Sequence, residues 1–400
     1  VTVTFGLFPP TVPAALMKIC FLSCEYGPTI AGDEGVVTQS LAEGLAAAGH
    51  EVRVAGLLER GGHSPAWEER NGVTIHRVPV PFFRGGGIWA RYRLWRLVRR
   101  WSRAGEIDVV DAPLARGLVA AWGRLPVPVI VRVHGTHAAR TSPIAPAPSG
   151  VSQWFERRGA QRADVLCAVS ASVARLVTER LLNAPQPCAV IPNPVSGLGT
   201  PSWEPERPPV IVYSGGLSER KGVCELIRIW PRVRRTFPAA RLLLFGRDSS
   251  LRTGGTVSQW IKDQLRQPAD LGVEIRGHVP REALARAYSR AAAVVLPSHY
   301  EAFGMAAAEA MWCGCPLVFT RYGSGPELLR DGEEGLLVNP HEPDSIAEAL
   351  LRILLDREFA AGLGQAAARK ARSQFALGPV IERNLAFYQQ CCRTLRDGTA

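Results

Sequence analysis

A repeated alternation of short apolar runs with amphipathic helical stretches constrains this 400-residue chain more than any other feature. The runs KICFLS (18–23), EVRVAGL (51–57), VTIHRVPV (73–80), DVVDA (108–112), PVIVRVHG (128–135), DVLCAVS (164–170) and CAVIPNP (188–194) form a first series. After KICFLS, Val37, Leu41, Leu45 and Ala48 share one helical face, which closes at Gly49. GLGTPSWEPERPP (197–209) has no period and reads as a linker. A second series follows: PVIVYSGG (209–216), RLLLFGR (241–247), VEIRGHV (273–279), AVVLPS (293–298), PLVFTRY (316–322) and GLLVNP (335–340), with helices expected near 222–235, 281–291, 305–313 and 344–355. Runs this apolar, separated by helices, suit parallel strands buried on both faces. The expectation is an α/β chain of two doubly wound domains in tandem. Ligands of such sheets bind beyond the carboxyl ends of the strands, so the cleft between the two sheets is the expected site.

Composition narrows the class. An apolar fraction of 46% and a charged fraction of 21% fit a globular enzyme. No apolar run reaches the ~18 residues of a membrane span. The formal net charge is +11, and the 47 basic residues are nearly all Arg, which suits anionic partners as well as it suits a genome that favours Arg codons. The nine Cys include no CxxC pair, which argues against a disulfide framework or zinc site and for a reducing cytoplasm. Residues 1–16 lack a basic opening and carry prolines, so they are expected to be a leader or mis-started segment outside the fold.

SHYEAFGMAAAEAMWCGCP (298–316) poses the functional question. Glu301 and Glu309 are the only formal charges between Ala291 and Thr320. Glu301 is expected in the loop that ends a strand. Glu309 is expected in the second turn of a helix starting near Gly304 and facing inward with its Ala and Met neighbours. An inward carboxylate is costly without hydrogen-bond donors, and the vicinal hydroxyls of a sugar or ribose are such donors. A local Arg would serve too. The amides of Phe303, Gly304 and Met305 at the helix start make an anion site.

The ordered series Y-G-P-T-I-A-G-D-E-G-V (26–36), G-H-E-V (49–52), V-H-G (133–135), A-D-V-L-C-A-V-S (163–170), I-P-N-P-V (191–195), G-G-L-S-E-R-K-G-V (215–223), E-A-F-G-x4-E (301–309) and G-P-E-L-L-R-D-G-E-E-G-L-L-V-N-P (325–340) resembles the retaining family-4 glycosyltransferases of the GT-B fold. The resemblance implies two facing Rossmann-like domains with a deep interdomain cleft. It places an acceptor-side domain at 17–198, a nucleotide-sugar domain at 199–378, and a final helix at 379–396 that returns to the first. It implies transfer of a hexose-type sugar from a nucleotide-diphosphate donor, a UDP-sugar for preference, to a hydroxyl acceptor. It also implies that no metal is needed; the sequence has no DxD dipeptide.

By the same resemblance Glu301 contacts the donor sugar, Glu309 holds the ribose, and Phe303, Gly304 and Met305 face the sugar and diphosphate. Lys221 is the phosphate clamp. The family's usual Arg five residues earlier is replaced by Gly216, beside Gly215, with Arg220 as a possible substitute. His134, of V-H-G, reaches the donor sugar; His137 is a near neighbour. The turn Gly32-Asp33-Glu34-Gly35 approaches the diphosphate and acceptor, with Asp33 where a second glycine is common. Gly246, Arg247 and Asp248, and Gly277-His278-Val279, lie where the family passes the base.

WARYRLWRLVRRWSRAG (89–105) sets Ala90, Leu94, Leu97, Val98 and Trp101 in one stripe, with Arg93, Arg96, Arg99 and Arg100 opposite. The pattern suits peripheral contact with an anionic membrane and equally a helix packed on the first sheet. RTSPIAPAPSG (140–150) is expected to gate the acceptor. No nucleic-acid partner is expected. Competing readings are an inactive nucleotide-sugar-binding homologue, suggested by Gly216 and Asp33, and a sugar-nucleotide epimerase on the same two-domain plan. A nicotinamide dehydrogenase is disfavoured, because no strand is followed by GxGxxG.

Overall fold

The computed structural model describes residues 16–27, 32–58, 64–83, 85–135, 150–183, 186–199, 201–265 and 271–397. They fall into two units: one runs to Pro194 and resumes at Leu377, and the other is centred on Val195–Ala376.

The first unit is an eight-stranded sheet: β1 (Lys18–Leu22), β2 (Glu51–Leu58), β3 (Trp67–Arg70), β4 (Val73–Pro79), β5 (Val109–Pro113), β6 (Val129–Val133), β7 (Val165–Ala168) and β8 (Cys188–Val190). Their order is β3-β4-β2-β1-β5-β6-β7-β8. All pairings are parallel except β3 with β4. Its helices include α1 (Asp33–Ala47), α2 (Gly86–Arg103), α3 (Gly150–Arg162) and α4 (Ala171–Leu176). Every residue of β5 and β6 is buried, so neither strand alternates, as expected when helices cover both faces. β3 is the element the apolar pattern misses: WEER is a largely exposed edge strand with no core face to advertise it.

On α2, Ala90, Leu94, Val98 and Trp101 are fully buried. The apolar stripe therefore faces the unit's own core. Ile88, Trp89, Tyr92 and the arginines carry the outer side, where Arg93 lies 4.8 Å over the Trp89 ring.

The second unit holds β9 (Val210–Ser214), β10 (Arg241–Phe245), β11 (Val273–Gly277), β12 (Ala293–Leu296), β13 (Leu317–Thr320) and β14 (Leu336–Val338), in the order β11-β10-β9-β12-β13-β14 and all parallel. Its helices are α5 (Val223–Thr236), α6 (Val257–Leu265), α7 (Arg281–Arg290), α8 (Met305–Trp312), α9 (Gly325–Leu328), α10 (Pro343–Leu355) and α11 (Arg357–Gln374). The Pro-rich stretch read as a linker is tied down here. Glu204 and Glu206 donate backbone bonds to Ser289 and Arg290, and Trp203 Nε1 donates to Ala291 O at 2.8 Å.

α12 (Leu377–Asp397) packs against α1 and belongs to the first unit. It completes a buried polar network. Arg132 Nη2 donates to Asp111 Oδ2 at 2.6 Å and to Asn384 Oδ1 at 2.6 Å, and Tyr388 OH donates to Asp111 Oδ2 at 2.7 Å. The Arg132 and Asp111 side chains are 5% and 3% exposed. Ions this enclosed are retained only when each is paired and hydrogen-bonded.

Candidate functional site

Both sheets reverse direction once, and the chemistry-bearing residues gather at those reversals. In the second unit the chain leaves β9 for β10 on one side and returns to β12 on the other. That is a topological switch point, where loops beyond the carboxyl ends diverge and leave room for a ligand.

The loop after β9 carries Lys221 in a single 3₁₀ turn, Glu219–Lys221, just before α5. The loop after β12 carries Ser298 and Glu301. Lys221 Nζ donates to Glu301 Oε1 at 2.5 Å, and Ser298 Oγ donates to the same oxygen at 2.8 Å. The pair is 80 positions apart in sequence, so no local pattern announces it.

Two glycines set the spacing. Gly222 has φ +71°, and a Cβ there would sit 1.9 Å from Pro297 O. Gly323 has φ +71° and would meet Glu301 O at 2.0 Å. Glycine is required at both positions by conformation and by space. Burial alone pushes the Glu301 carboxyl up. Lys221, Ser298 and the nearby Arg220 outweigh that and hold it below the usual carboxylate range, so it is ionised at neutral pH.

α8 begins at Met305 after Gly304, and its first amides point beyond the sheet end, as at any helix start. Ser324 ties this start down by donating through Oγ to Phe303 O at 2.8 Å and through N to Glu301 O at 2.9 Å. Glu309 is buried, as expected, and Arg281 at the start of α7 engages it: Nε and Nη2 donate to Oε1 at 3.0 and 2.5 Å. The sequence reading did not single out Arg281. Its place just after Pro280, at a helix start, was the available signal.

Gly215, Gly216, Gly246 and His278 come together at the neighbouring strand ends. Gly215 N donates to Phe245 O, Leu217 N to Arg247 O, and Gly246 N to Gly277 O. His278 is exposed. Asp248 caps α6, accepting from Ser258 N at 3.1 Å and Ser258 Oγ at 2.6 Å.

In the first unit the switch point lies between β1 and β5. Gly32 precedes α1 in an extended conformation, and Asp33 and Glu34 occupy the first turn, where acids complement the helix dipole. Two residues missed by sequence reasoning join them. Glu25 follows β1, and Arg116 follows β5 with Nη2 3.5 Å from Glu25 Oε1. Burial, and then the Glu25 carboxylate, push the Glu34 carboxyl up to about 7.

His134 directly follows β6, two residues beyond Arg132. Its Nδ1 is buried with no partner among the described residues. Burial, helped by the Arg132 charge, pushes the imidazole down to about 3, so it is neutral at physiological pH. His137 and nearly all of 140–150 lie outside the described residues.

Opposite pH effects on stability follow from these two groups. His134 in the folded chain titrates below its ordinary 6.5, so the unfolded chain binds the extra proton between those values. Stability therefore falls as pH drops through that window, by about 1.4 kcal/mol per pH unit. Glu34 titrates above its ordinary 4.5, so stability falls as pH rises from 4.5 towards 7. In urea titrations from pH 4 to 8, His134→Gln should remove the first limb and Glu34→Gln the second.

Two doubly wound units, one with a Lys–Glu pair and a helix start at its switch point, fit the architecture of GT-B glycosyltransferases. The comparisons with known proteins carry this to a family. The description "Glycosyltransferase Family 4" matches residues 35–196, and "Glycosyl transferases group 1" matches residues 201–370. The chain is 30% identical over 388 residues to a glycogen synthase of Mycobacterium tuberculosis, covering 90% of this chain and 91% of the relative. It is 26% identical to an alpha-maltose-1-phosphate synthase of Mycolicibacterium smegmatis, covering 94% of this chain and 99% of the relative. A sucrose-phosphate synthase from Thermosynechococcus elongatus has the same fold, with a TM-score of 0.74 and 21% identity over 93% of this chain and 98% of that one. Anabaena HepE, solved with UDP and glucose, gives 0.67 and 19% identity over 93% and 99%. The chain belongs to glycosyltransferase family 4. Among the described residues no helix is long and apolar enough to cross a membrane.

Proposed function

We propose that this protein is a retaining hexosyltransferase that uses a nucleotide-diphosphate sugar, with UDP-glucose the first donor to test, and that it works without a metal ion. The observation that carries the reading is the Lys221–Glu301 pair at the second switch point, beside the start of α8. As the bond from the anomeric carbon to the diphosphate breaks, negative charge grows on the leaving oxygen and positive charge on the sugar. Lys221, Arg220 and the α8 amides are assigned to the first. The ionised Glu301 is assigned to accept bonds from sugar hydroxyls. The acceptor oxygen bonds to the same face of the anomeric carbon, and its proton passes to the departing phosphate oxygen. Glu309, held by Arg281, is assigned to the ribose. Neutral His134 is assigned one hydrogen bond to a sugar.

A thermal-shift screen of UDP-, GDP-, TDP- and ADP-sugars tests the donor. The right one, at about a hundredfold over its Kd, should add roughly 3 kcal/mol of stability. Proton NMR of the product tests the stereochemistry, and an inverted anomeric configuration would overturn the retaining assignment. Binding of a donor with no transfer to any acceptor would favour the inactive homologue.

Peripheral membrane contact is part of the proposal, through the outer side of α2. Phe82 and Ile88 are 80% and 70% exposed, beside Trp89, Tyr92 and a run of arginines, and residues 71–105 contain no acid. Aromatics flanked by arginine suit an anionic lipid surface. The protein should sediment with phosphatidylglycerol vesicles and not with phosphatidylcholine ones. Ile88→Ser with Trp89→Ser should abolish sedimentation, and equal recovery with both lipids would end the idea.

A further inference from the structure

One buried histidine beside the donor carboxylate is used by none of the chemistry above. His299 precedes Glu301 by two positions, and its side chain is 4% exposed. Neither ring nitrogen has a hydrogen-bond partner among the described residues, and neither does Glu225 Oε2. The two groups face each other, with Nε2 3.5 Å from Oε2. That distance is an ion-pair approach, longer than a formed N–H···O bond. Burial alone would push the Glu225 carboxyl up, and the His299 imidazole beside it outweighs that and holds it below the usual carboxylate range, so the two groups interact across this gap.

Their positions supply the account. Glu225 lies in the first turn of α5, four residues after Lys221. Its Oε1 accepts from Arg228 Nη1 at 3.1 Å, which leaves Oε2 turned to the histidine. His299 N donates to Arg220 O at 2.9 Å, which joins the loop after β12 to the phosphate-clamp turn. On its other side the His299 ring meets His341 at 4.8 Å between centroids, and His341 meets Tyr322 at 5.5 Å. His299 is thus the joint of three segments: the clamp turn with α5, the Glu301 loop, and the loop after β14.

We infer that His299 and Glu225 are positioning residues for transfer: their contact holds the Glu301 loop to the first turn of α5 and so keeps Lys221 against Glu301. Glu301 is two residues from one partner, and Lys221 is one helical turn from the other. The contact therefore sets the separation of the two groups that meet donor hydroxyls and phosphate. The inference rests on the function proposed above.

Two measurements test it. In His299→Phe the ring contact with His341 survives and the N–H is lost. Glu225→Leu removes the carboxylate. Each should lower kcat by about ten- to a hundredfold, with acceptor KM and melting temperature near wild type. The double variant should be no worse than either single one, and His299→Gln, which restores a donor, should recover most of the loss. Unchanged kcat in His299→Phe, or losses that multiply, would overturn the inference. Wild-type protein that transfers no sugar would sink the proposed function instead. For that case hydrogen exchange on the ligand-free protein decides separately. Amides of 298–301 and of the first turn of α5 should exchange faster in both single variants, and exchange equal to wild type would again overturn the inference.

Discussion

Glu301→Gln should reduce kcat/KM for transfer by about 10²–10³-fold, the usual cost of removing one preorganised electrostatic group from a transition state. The amide keeps the volume of the side chain and can still accept from Ser298, so the loop after β12 keeps its course over Gly323. What it loses is the charge. Lys221 no longer has an ionised partner at Oε1, and in the proposed mechanism donor hydroxyls lose the acceptor that would strengthen its bonds as positive charge develops on the sugar. Lys221 is 24% exposed and can turn to solvent, so the change in stability should be small compared with the change in rate. The loss should fall mainly on kcat, because the interaction is strongest in the transition state. Steady-state kinetics with the donor found by thermal shift measure it. A variant with wild-type kcat/KM would remove the central residue of the proposed mechanism.

Arg132→Met should destabilise the first unit by about 3–5 kcal/mol, the range for stripping one member from a buried ion pair. Asp111 would remain enclosed with a formal charge, keeping among the described residues the side-chain bond from Tyr388. Tyr388→Phe leaves Arg132 and Asp111 paired, and should cost about 1–3 kcal/mol. Hydrogen exchange resolves the effect by unit. Amides of β5 and β6 should lose protection while those of β9 and β12 keep theirs as an internal reference. Uniform loss across both sheets would contradict the assignment of this network to one unit. Replacing Arg132, Asp111 and Asn384 together by apolar residues of similar volume should cost less than Arg132→Met alone, since no charge is then left unpaired.

The sequence carried the two sheets further than it carried the site. Strands such as β5, β6 and β12 were legible because burial on both faces leaves an unbroken apolar run. β3 was not, because an exposed edge strand needs no such run, and neither α6 nor α11 was read from its pattern. The individual carboxylates Glu301 and Glu309 stood out by their apolar surroundings. Their pairing did not, although Lys221 itself was singled out by the family resemblance. Lys221 and Arg281 reach them from 80 and 28 positions away, and only the folded sheet puts those strand ends side by side. The Glu25–Glu34 pair, the Arg132 network and the His299–Glu225 joint were invisible for the same reason. Each is made by topology and leaves no periodic trace.

The partnership of Arg132 with α12 has a bearing on how the chain is made. Asn384 is synthesised 252 positions after Arg132. At about 5–20 residues per second, the ribosome needs about 13–50 s to cover that distance. During this interval the Arg132 guanidinium of β6 lacks two of its three side-chain partners, Asn384 and Tyr388, while all of Val195–Ala376 emerges and can fold. The half of the protein that begins first is therefore finished last, and nascent chains halted before Tyr388 should be the ones that chaperones hold longest.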